Sequence, residues 1–201
     1  FSKFDHFFTK LKYFFIFCDD YTRFIYKFDE DLNFKESVIN SLDKVFDVLL
    51  EYYERTNALT LAMAQNGDFI GGRKSNRAKN IQLARKAMNS FLCSTDRPFQ
   101  FLGRMNEDVT TYVNLGHKGN LFLTVPNVSL IQKRTQSEKG GLTEMYLDFG
   151  TYTKSFFSVM YNPSCVRIGK MGEKNKRIHH KVNWGNAVPC IIDERQKKVV
   201  N

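Results

Sequence analysis

The chain has 201 residues, of which 42% are hydrophobic and 25% charged, with 19 Phe, 9 Tyr and a formal net charge of +9. This length and balance suit one folded domain, residues 1–201, with a substantial core, and they exclude a disordered chain. No apolar run approaches the ~20 residues that span a bilayer, no signal peptide is legible, and Cys18, Cys93, Cys165 and Cys190 are too scattered for a disulfide framework or a zinc site, so a reducing cytoplasm is expected.

Tyr13–Phe17 reads as a short buried strand. Val38, Leu42, Val45, Phe46, Leu49 and Tyr53 recur at helical spacing, which predicts an amphipathic helix from Ser37, its N-cap, to about Arg55. Leu59–Ala64 is expected as a buried strand, and Gly71-Gly72 with the basic run after it as a flexible loop. Ile81, Ala84, Met88 and Phe91 share a helical face, and Phe99–Leu102 reads as the next strand. Further β-like runs are Leu121–Val125, Val128–Gln132, Glu144–Leu147 and Cys165–Ile168. Alternating strands and helices make an α/β fold, a mixed sheet flanked by helices.

Charge is divided unevenly along the chain. Residues 1–68 hold 8 Lys and Arg against 12 Asp and Glu, whereas residues 69–201 hold 22 against 9. The basic part is concentrated in Arg73, Lys74, Arg77 and Lys79, followed by Arg85-Lys86, and in Lys170 to Lys181. Such a division fits a polyanion lying across one face, and equally a solvated basic surface. No zinc finger or RNA-recognition motif is present, and neither is a GxGxxG or P-loop signature.

Two pairs of adjacent acids each follow an apolar, aromatic run: Asp19-Asp20 after Phe14–Cys18, and Glu107-Asp108 after Phe101–Asn106. Carboxylates gathered at strand ends hold a divalent metal on a phosphate or serve as a general base. Asp19 and Asp20 suit the metal role, Asp108 the base, and Glu107 the positioning of Asp108. The bland reading of each pair, a helix cap or a turn, stands beside this one. His179-His180 sits in a basic run, and Trp184 follows; surface and core are their ordinary uses.

Several stretches resemble the TET-associated, phage-type glycosyltransferases. They are Gln65-Asn-Gly-Asp-Phe-Ile-Gly-Gly72, Arg85-Lys-Ala-Met-Asn-Ser-Phe91, Gly103-Arg-Met-Asn-Glu-Asp-Val109, Thr135-Gln136, Gly140-Gly-Leu-Thr-Glu144, Gly150-Thr-Tyr-Thr-Lys-Ser-Phe156 and Arg177-Ile-His-His180, an ordered series across roughly residues 13 to 195. The resemblance implies a GT-A-like fold and transfer of a sugar from a nucleotide-sugar donor to a hydroxymethylated base in DNA, with Mn²⁺ or Mg²⁺ as cofactor. It implies that an imidazole of His179 or His180 completes the metal shell of Asp19 and Asp20. Gln65, Asp68, Arg104, Asn106, Gly140 and Gly141 are the expected substrate contacts, joined by Arg73, Lys74, Arg77 and Lys79 on DNA. An enzyme of this kind, if phage-encoded, works in the host cytoplasm.

The chain has Cys18-Asp19-Asp20 where three consecutive acids are expected, and the first nucleotide-binding strand–helix region implied by the resemblance is not read in residues 1–12. That leaves two expectations: a sequence incomplete at its N-terminus, or donor binding altered or lost. Two other readings stay open: a metal-dependent nuclease or phosphodiesterase, and a catalytically silent DNA-binding or assembly module of the same fold.

Overall fold

The structure, a computed structural model, describes residues 11–133, 142–150, 152–172 and 176–197. A six-stranded mixed sheet in the order β1-β5-β4-β6-β2-β3 forms its centre. The strands are β1 (Tyr13–Phe17), β2 (Tyr21–Phe28), β3 (Phe34–Val38), β4 (Thr60–Ala64), β5 (Ser90–Ser94) and β6 (Phe122–Gln132). A separate antiparallel hairpin joins β7 (Val166–Met171) to β8 (Arg177–Val182). The helices are α1 (Leu42–Glu54), α2 (Glu107–Gly116), α3 (Thr143–Phe149), α4 (Thr153–Tyr161) and α5 (Trp184–Ala187).

Every residue of β4 (Thr-Leu-Ala-Met-Ala) and of β5 (Ser-Phe-Leu-Cys-Ser) is buried. These are central strands covered on both faces, so their sequences carry no polar alternation. Their side chains still alternate between two cores. Leu61, Met63 and Leu92 join Val45, Leu49 and Tyr53 of α1 on one face. Ala62, Phe91 and Cys93 join Val109, Tyr112 and Val113 of α2 on the other. The result is an α/β sheet with helices on both faces, compatible with a GT-A-like fold.

Several expected elements differ. Ser37 and Val38 end strand β3, where Ile25 pairs Val38 and Tyr26 pairs Ser37, so the helix starts later, at Leu42 with Ser41 as N-cap. Val38 only continues the helical stripe by coincidence; it is 55% exposed.

The expected helix through Ile81, Ala84 and Met88 is not formed. Gln82 instead exchanges both backbone hydrogen bonds with Thr124 of β6, each 2.8 Å, and the Thr124 hydroxyl donates to the Lys86 carbonyl. Phe91, expected on that helix, belongs instead to strand β5, and the strand expected at Phe99–Leu102 is not formed among the described residues. That later segment has no ladder partner; its rings pack instead, Phe101 lying 5.1 Å from Phe91 and 5.4 Å from Phe99 between centroids.

The two runs Leu121–Val125 and Val128–Gln132 are one strand. Pro126 and Asn127 interrupt its pairing, for Met63 pairs Val125 while Ala64 pairs Ser129. Its first half runs parallel to β4 and its second half antiparallel to β2, a bulge of the kind proline is confined to. Glu144–Leu147 lies in helix α3 rather than a strand.

The basic segment after Gly71 is not loose. It forms two short 3₁₀ turns, Gly72–Lys74 and Asn76–Ala78, and the Arg73 N–H donates to the Leu32 carbonyl at 2.7 Å. Gly72 has φ +47°, and a Cβ there would meet Leu32 O and Phe34 N at 2.7 Å. Only glycine allows this close seat against the β2–β3 turn.

Candidate active site

Asp19 and Asp20 occupy the turn between β1 and β2, Asp19 exposed and Asp20 partly buried. The Gln132 side-chain amide, at the end of β6, donates to Asp20 Oδ1 at 2.8 Å. Asn89, just before β5, donates its amide to both Gln132 Oε1 and Gln65 Oε1, and Gln65 donates to the Met88 carbonyl. Asn89 holds φ +64°, which asparagine tolerates better than most residues. Its backbone and side-chain oxygens accept from Cys18, from the N–H at 3.1 Å and the thiol at 3.4 Å. A polar relay therefore ties the Asp19-Asp20 turn to three strands.

Glu107 and Asp108 do not end a strand. They open α2, with Asn106 as N-cap at φ +55°. Acids in a first turn are favoured by the unpaired N–H groups and positive dipole end there. Asp108 Oδ1 accepts from the Val109 N–H at 2.7 Å. Burial, with added repulsion from Glu107, pushes the Asp108 carboxyl up to about 6, although the Val109 N–H pulls the other way. Such a carboxylate is ionised at neutral pH yet basic enough to take a proton.

A cavity of about 310 Å³ opens between the end of β1 and the start of α2; Glu107 and Asp108 line it, whereas Asp19 and Asp20 lie just beyond its lining residue Cys18. Ile16, Phe17, Phe91 and Phe101 give it apolar walls, while Cys18, Asn89, Glu107 and Asp108 supply its polar lining. The Cys18 thiol is pushed up to about 11, first by burial and then by the charges of Asp20, Asp108, Asp19 and Glu107. It stays protonated at neutral pH and is a poor nucleophile. A larger hollow of about 650 Å³ along the β7–β8 hairpin has no carboxylate in its lining.

The side of α2 away from the relay is basic. The Asn106 amide donates to the Ser158 hydroxyl of α4 at 2.6 Å and lies 3.3 Å from His180 Nδ1. The His179 and His180 rings are 4.1 Å apart. His180 is held down to about 4 by burial, by the neighbouring His179 imidazole, which disfavours a second proton, and by the cations Lys154 and Lys86; His179 is lowered by burial and by Arg177, Lys154 and Lys86. Both imidazoles are neutral at pH 7. With the Asn106 amide so oriented, Nδ1 of His180 is an acceptor and the ring proton sits on Nε2.

Asp68 is buried and paired with Arg85, and with Lys86 at 3.4 Å; its Oδ2 and Arg85 Nε are buried without a hydrogen-bond partner among the described residues. Lys27, fully buried, fixes the same turn by donating to the carbonyls of Gln65 and Asn66 at 3.1 and 2.8 Å. Arg104 is exposed beside the cavity segment, and Arg73, Lys74, Arg77 and Lys79 are exposed on the 3₁₀ turns. Trp184 stacks on Tyr112 within the core, rings 5.7 Å apart. Gly140 and Gly141 lie outside the described residues, as do Thr135 and Gln136. Among the described residues no three His, Cys, Asp or Glu side chains converge as a metal-binding group.

Sequence reasoning did not single out Asn89 or Gln132, whose roles arise only when β1, β5 and β6 lie side by side. Nor did it find Lys27 or the apolar walls of the cavity.

Comparison with sequence models of protein families matches residues 4–141 to TET-Associated Glycosyltransferase. The chain belongs to the TET-associated glycosyltransferase family. No curated protein and no solved structure matches it. Membership makes this TET-associated glycosyltransferase an enzyme of sugar transfer by family, and places Asp19, Asp20, Asn89, Glu107 and Asp108 all within the matched segment. Among the described residues no helix is long and apolar enough to cross a membrane.

Proposed function

We propose that the chain moves a sugar from a nucleotide-sugar donor to the hydroxyl of a hydroxymethylated base in DNA. The observation that carries this reading is Asp108, a carboxylate near pKa 6 in a cavity shared with Cys18, next to the Asp19-Asp20 turn. In the reaction the acceptor O–H proton passes to Asp108, the acceptor oxygen bonds to the sugar's anomeric carbon, and the bond from that carbon to the diphosphate breaks. Glu107, one residue before Asp108 in the first turn of α2, keeps its partner basic by repulsion.

The donor set of the turn fits a divalent cation. Asp20 has one oxygen fixed by Gln132 and Asp19 is open to solvent, and Mg²⁺ is commonly held by one or two carboxylates with substrate phosphates and waters. Asp19 and Asp20 would hold Mn²⁺ or Mg²⁺, which when bound neutralises the leaving diphosphate. We assign His180 to fixing Asn106, the N-cap of the helix that bears Asp108, because its Nδ1 faces that amide. The exposed Arg73, Lys74, Arg77 and Lys79 supply a phosphate-binding face for DNA. Four free thiols suit a reducing cytoplasm.

The test is hydroxymethylated DNA incubated with a panel of nucleotide sugars, read by mass on digested nucleosides. A hexose-sized gain from one donor is the expected result. Strand scission without mass gain would favour the phosphodiesterase reading, and binding with neither outcome the silent module.

A further inference from the structure

The cavity beside Asp108 is small, about 310 Å³, at the lower end of the ~300–1,000 Å³ typical of small-molecule sites. A nucleotide sugar, with its base, ribose, diphosphate and hexose, is too large to be enclosed there. Charge points the same way. The lining contains two carboxylates, Glu107 and Asp108, and neither Lys nor Arg, and the nearby Lys154 already interacts with Asp108, so the cavity itself offers a phosphate no cationic partner. The walls are apolar and aromatic: the rings of Phe91 and Phe101 lie 5.1 Å apart on this face of the sheet, and Ile16 is 38% exposed on the edge strand β1. The guest that fits is flat, neutral and compact, and bears a hydroxyl for Asp108.

Asp108 is recessed among these walls, and a general base must come within about 3 Å of the proton it removes. A base still stacked in a duplex has neighbours above and below that are as wide as itself. A cavity of about 310 Å³ has room for one base but not for those neighbours as well. Enzymes whose target atom lies out of reach in the stack extrude the nucleotide instead.

We infer that the cavity lined by Ile16, Phe17, Phe101 and Asp108 receives a single hydroxymethylated base rotated out of the DNA duplex, packed against the aromatic walls with its hydroxyl at Asp108. This inference rests on the transfer reading above and adds the state of the DNA on which transfer occurs. The diphosphate stays outside the cavity, on the side of the Asp19-Asp20 turn, and the duplex lies against the basic surface. Aromatic packing against the ring is worth ~1–3 kcal/mol per base in single-stranded complexes and offsets much of the unstacking.

The experiment uses the full chain without donor and a duplex carrying one hydroxymethylpyrimidine flanked by 2-aminopurine. Extrusion unstacks the fluorophore, so its emission should rise several-fold on binding. An abasic site opposite the target removes the pairing cost and should tighten binding on the order of tenfold. Ile16→Trp fills the cavity from an exposed position without disturbing the core. It should abolish both the emission gain and transfer, while the salt-dependent affinity for unmodified duplex is unchanged. Phe101→Leu should reduce the emission gain in part.

Transfer to duplex DNA at the normal rate, with flat emission and no preference for the abasic duplex, would overturn extrusion and leave glycosyl transfer standing. Normal transfer by a folded Ile16→Trp protein would overturn it too. An emission gain with no transfer from any donor would keep the extrusion pocket and sink the transfer reading.

Discussion

Gln132 donates to Asp20 Oδ1 at 2.8 Å, and through Asn89 that hydrogen bond reaches Gln65, which directly follows the central strand β4. The orientation of an acid in a turn is thus set by strands β4, β5 and β6, rather than by the turn itself. If Asp19 and Asp20 hold the cation, Mn²⁺ with a nucleoside diphosphate raises the melting temperature, because a ligand that binds only the folded state stabilises it. Asp20→Asn removes most of that gain. Gln132→Leu removes part of it, and costs roughly 1 kcal/mol without ligand by leaving an Asn89 N–H unpaired. Differential scanning calorimetry reads both effects, and equal gains in all three proteins would place the cation elsewhere.

Stability against pH separates Asp108 from His180. Asp108 is raised to about 6 from an ordinary 3.8, so the folded state binds its proton more tightly, and its contribution falls as pH rises from about 4 to 6. His180 is lowered to about 4 from 6.5, so the unfolded state binds its proton more tightly, and its contribution falls as pH drops from about 6.5 to 4. In the native chain the two oppose each other over one window. Asp108→Asn therefore makes the protein more stable at pH 7, by on the order of 1–3 kcal/mol, and more acid-labile below pH 6. His180→Asn does the reverse, flattening or inverting the loss of stability on acidification. Urea midpoints between pH 4 and 7 check both signs.

Much of the fold is legible where local pattern and tertiary environment agree. Tyr13–Phe17 and Leu59–Ala64 are apolar runs of strand length, and the stripe from Leu42 to Tyr53 has one helical face. It is illegible where backbone pairing overrides periodicity. Ile81, Ala84 and Met88 have helical spacing, but Gln82 gains a two-bond bridge to Thr124 that a helix would forgo. Phe99–Leu102 has strand composition and, among the described residues, no strand to pair with. The chain does carry a signal for a helix at Glu107, since Asn106 before two acids is an N-terminal signature, but the aromatic run upstream imitates a strand that ends there. The candidate acids stand out in sequence, but the cavity at Asp108 does not, since its lining residues Cys18 and Asp108 are 90 positions apart and meet only through β1 and α2.

For DNA, the exposed Arg73, Lys74, Arg77 and Lys79 are held by short turns seated on Gly72. Removing one cation from a phosphate lowers the slope of log affinity against log salt by about 0.9. Replacing all four with Ala flattens that slope by up to about 3–4 and weakens every duplex alike, hydroxymethylated or not. Gly72→Ala meets backbone atoms of Leu32 and Phe34, so it moves the same turns and gives a smaller loss with no charge removed. Fluorescence anisotropy from 50 to 300 mM salt measures both; an unchanged slope in the fourfold variant puts the DNA on another face.

The sharpest expectation concerns Asp108 as base. Asp108→Asn preserves shape and removes basicity, and general-base catalysis contributes ~10²–10⁴-fold, so the rate of transfer falls by about that factor while donor and DNA affinities hold. The sign with pH follows from the same carboxyl. Only its ionised form accepts the proton, so kcat/KM rises with pH to a plateau above about 6, with a slope of one below. Glu107→Gln removes a repulsion that raises Asp108, so its acidic limb moves to lower pH and the plateau changes less than in Asp108→Asn. A lowered plateau with an unmoved limb would instead mean that Glu107 touches substrate itself. Single-turnover rates from pH 5 to 8 decide between these, and full activity in Asp108→Asn would hand the role of base to another group.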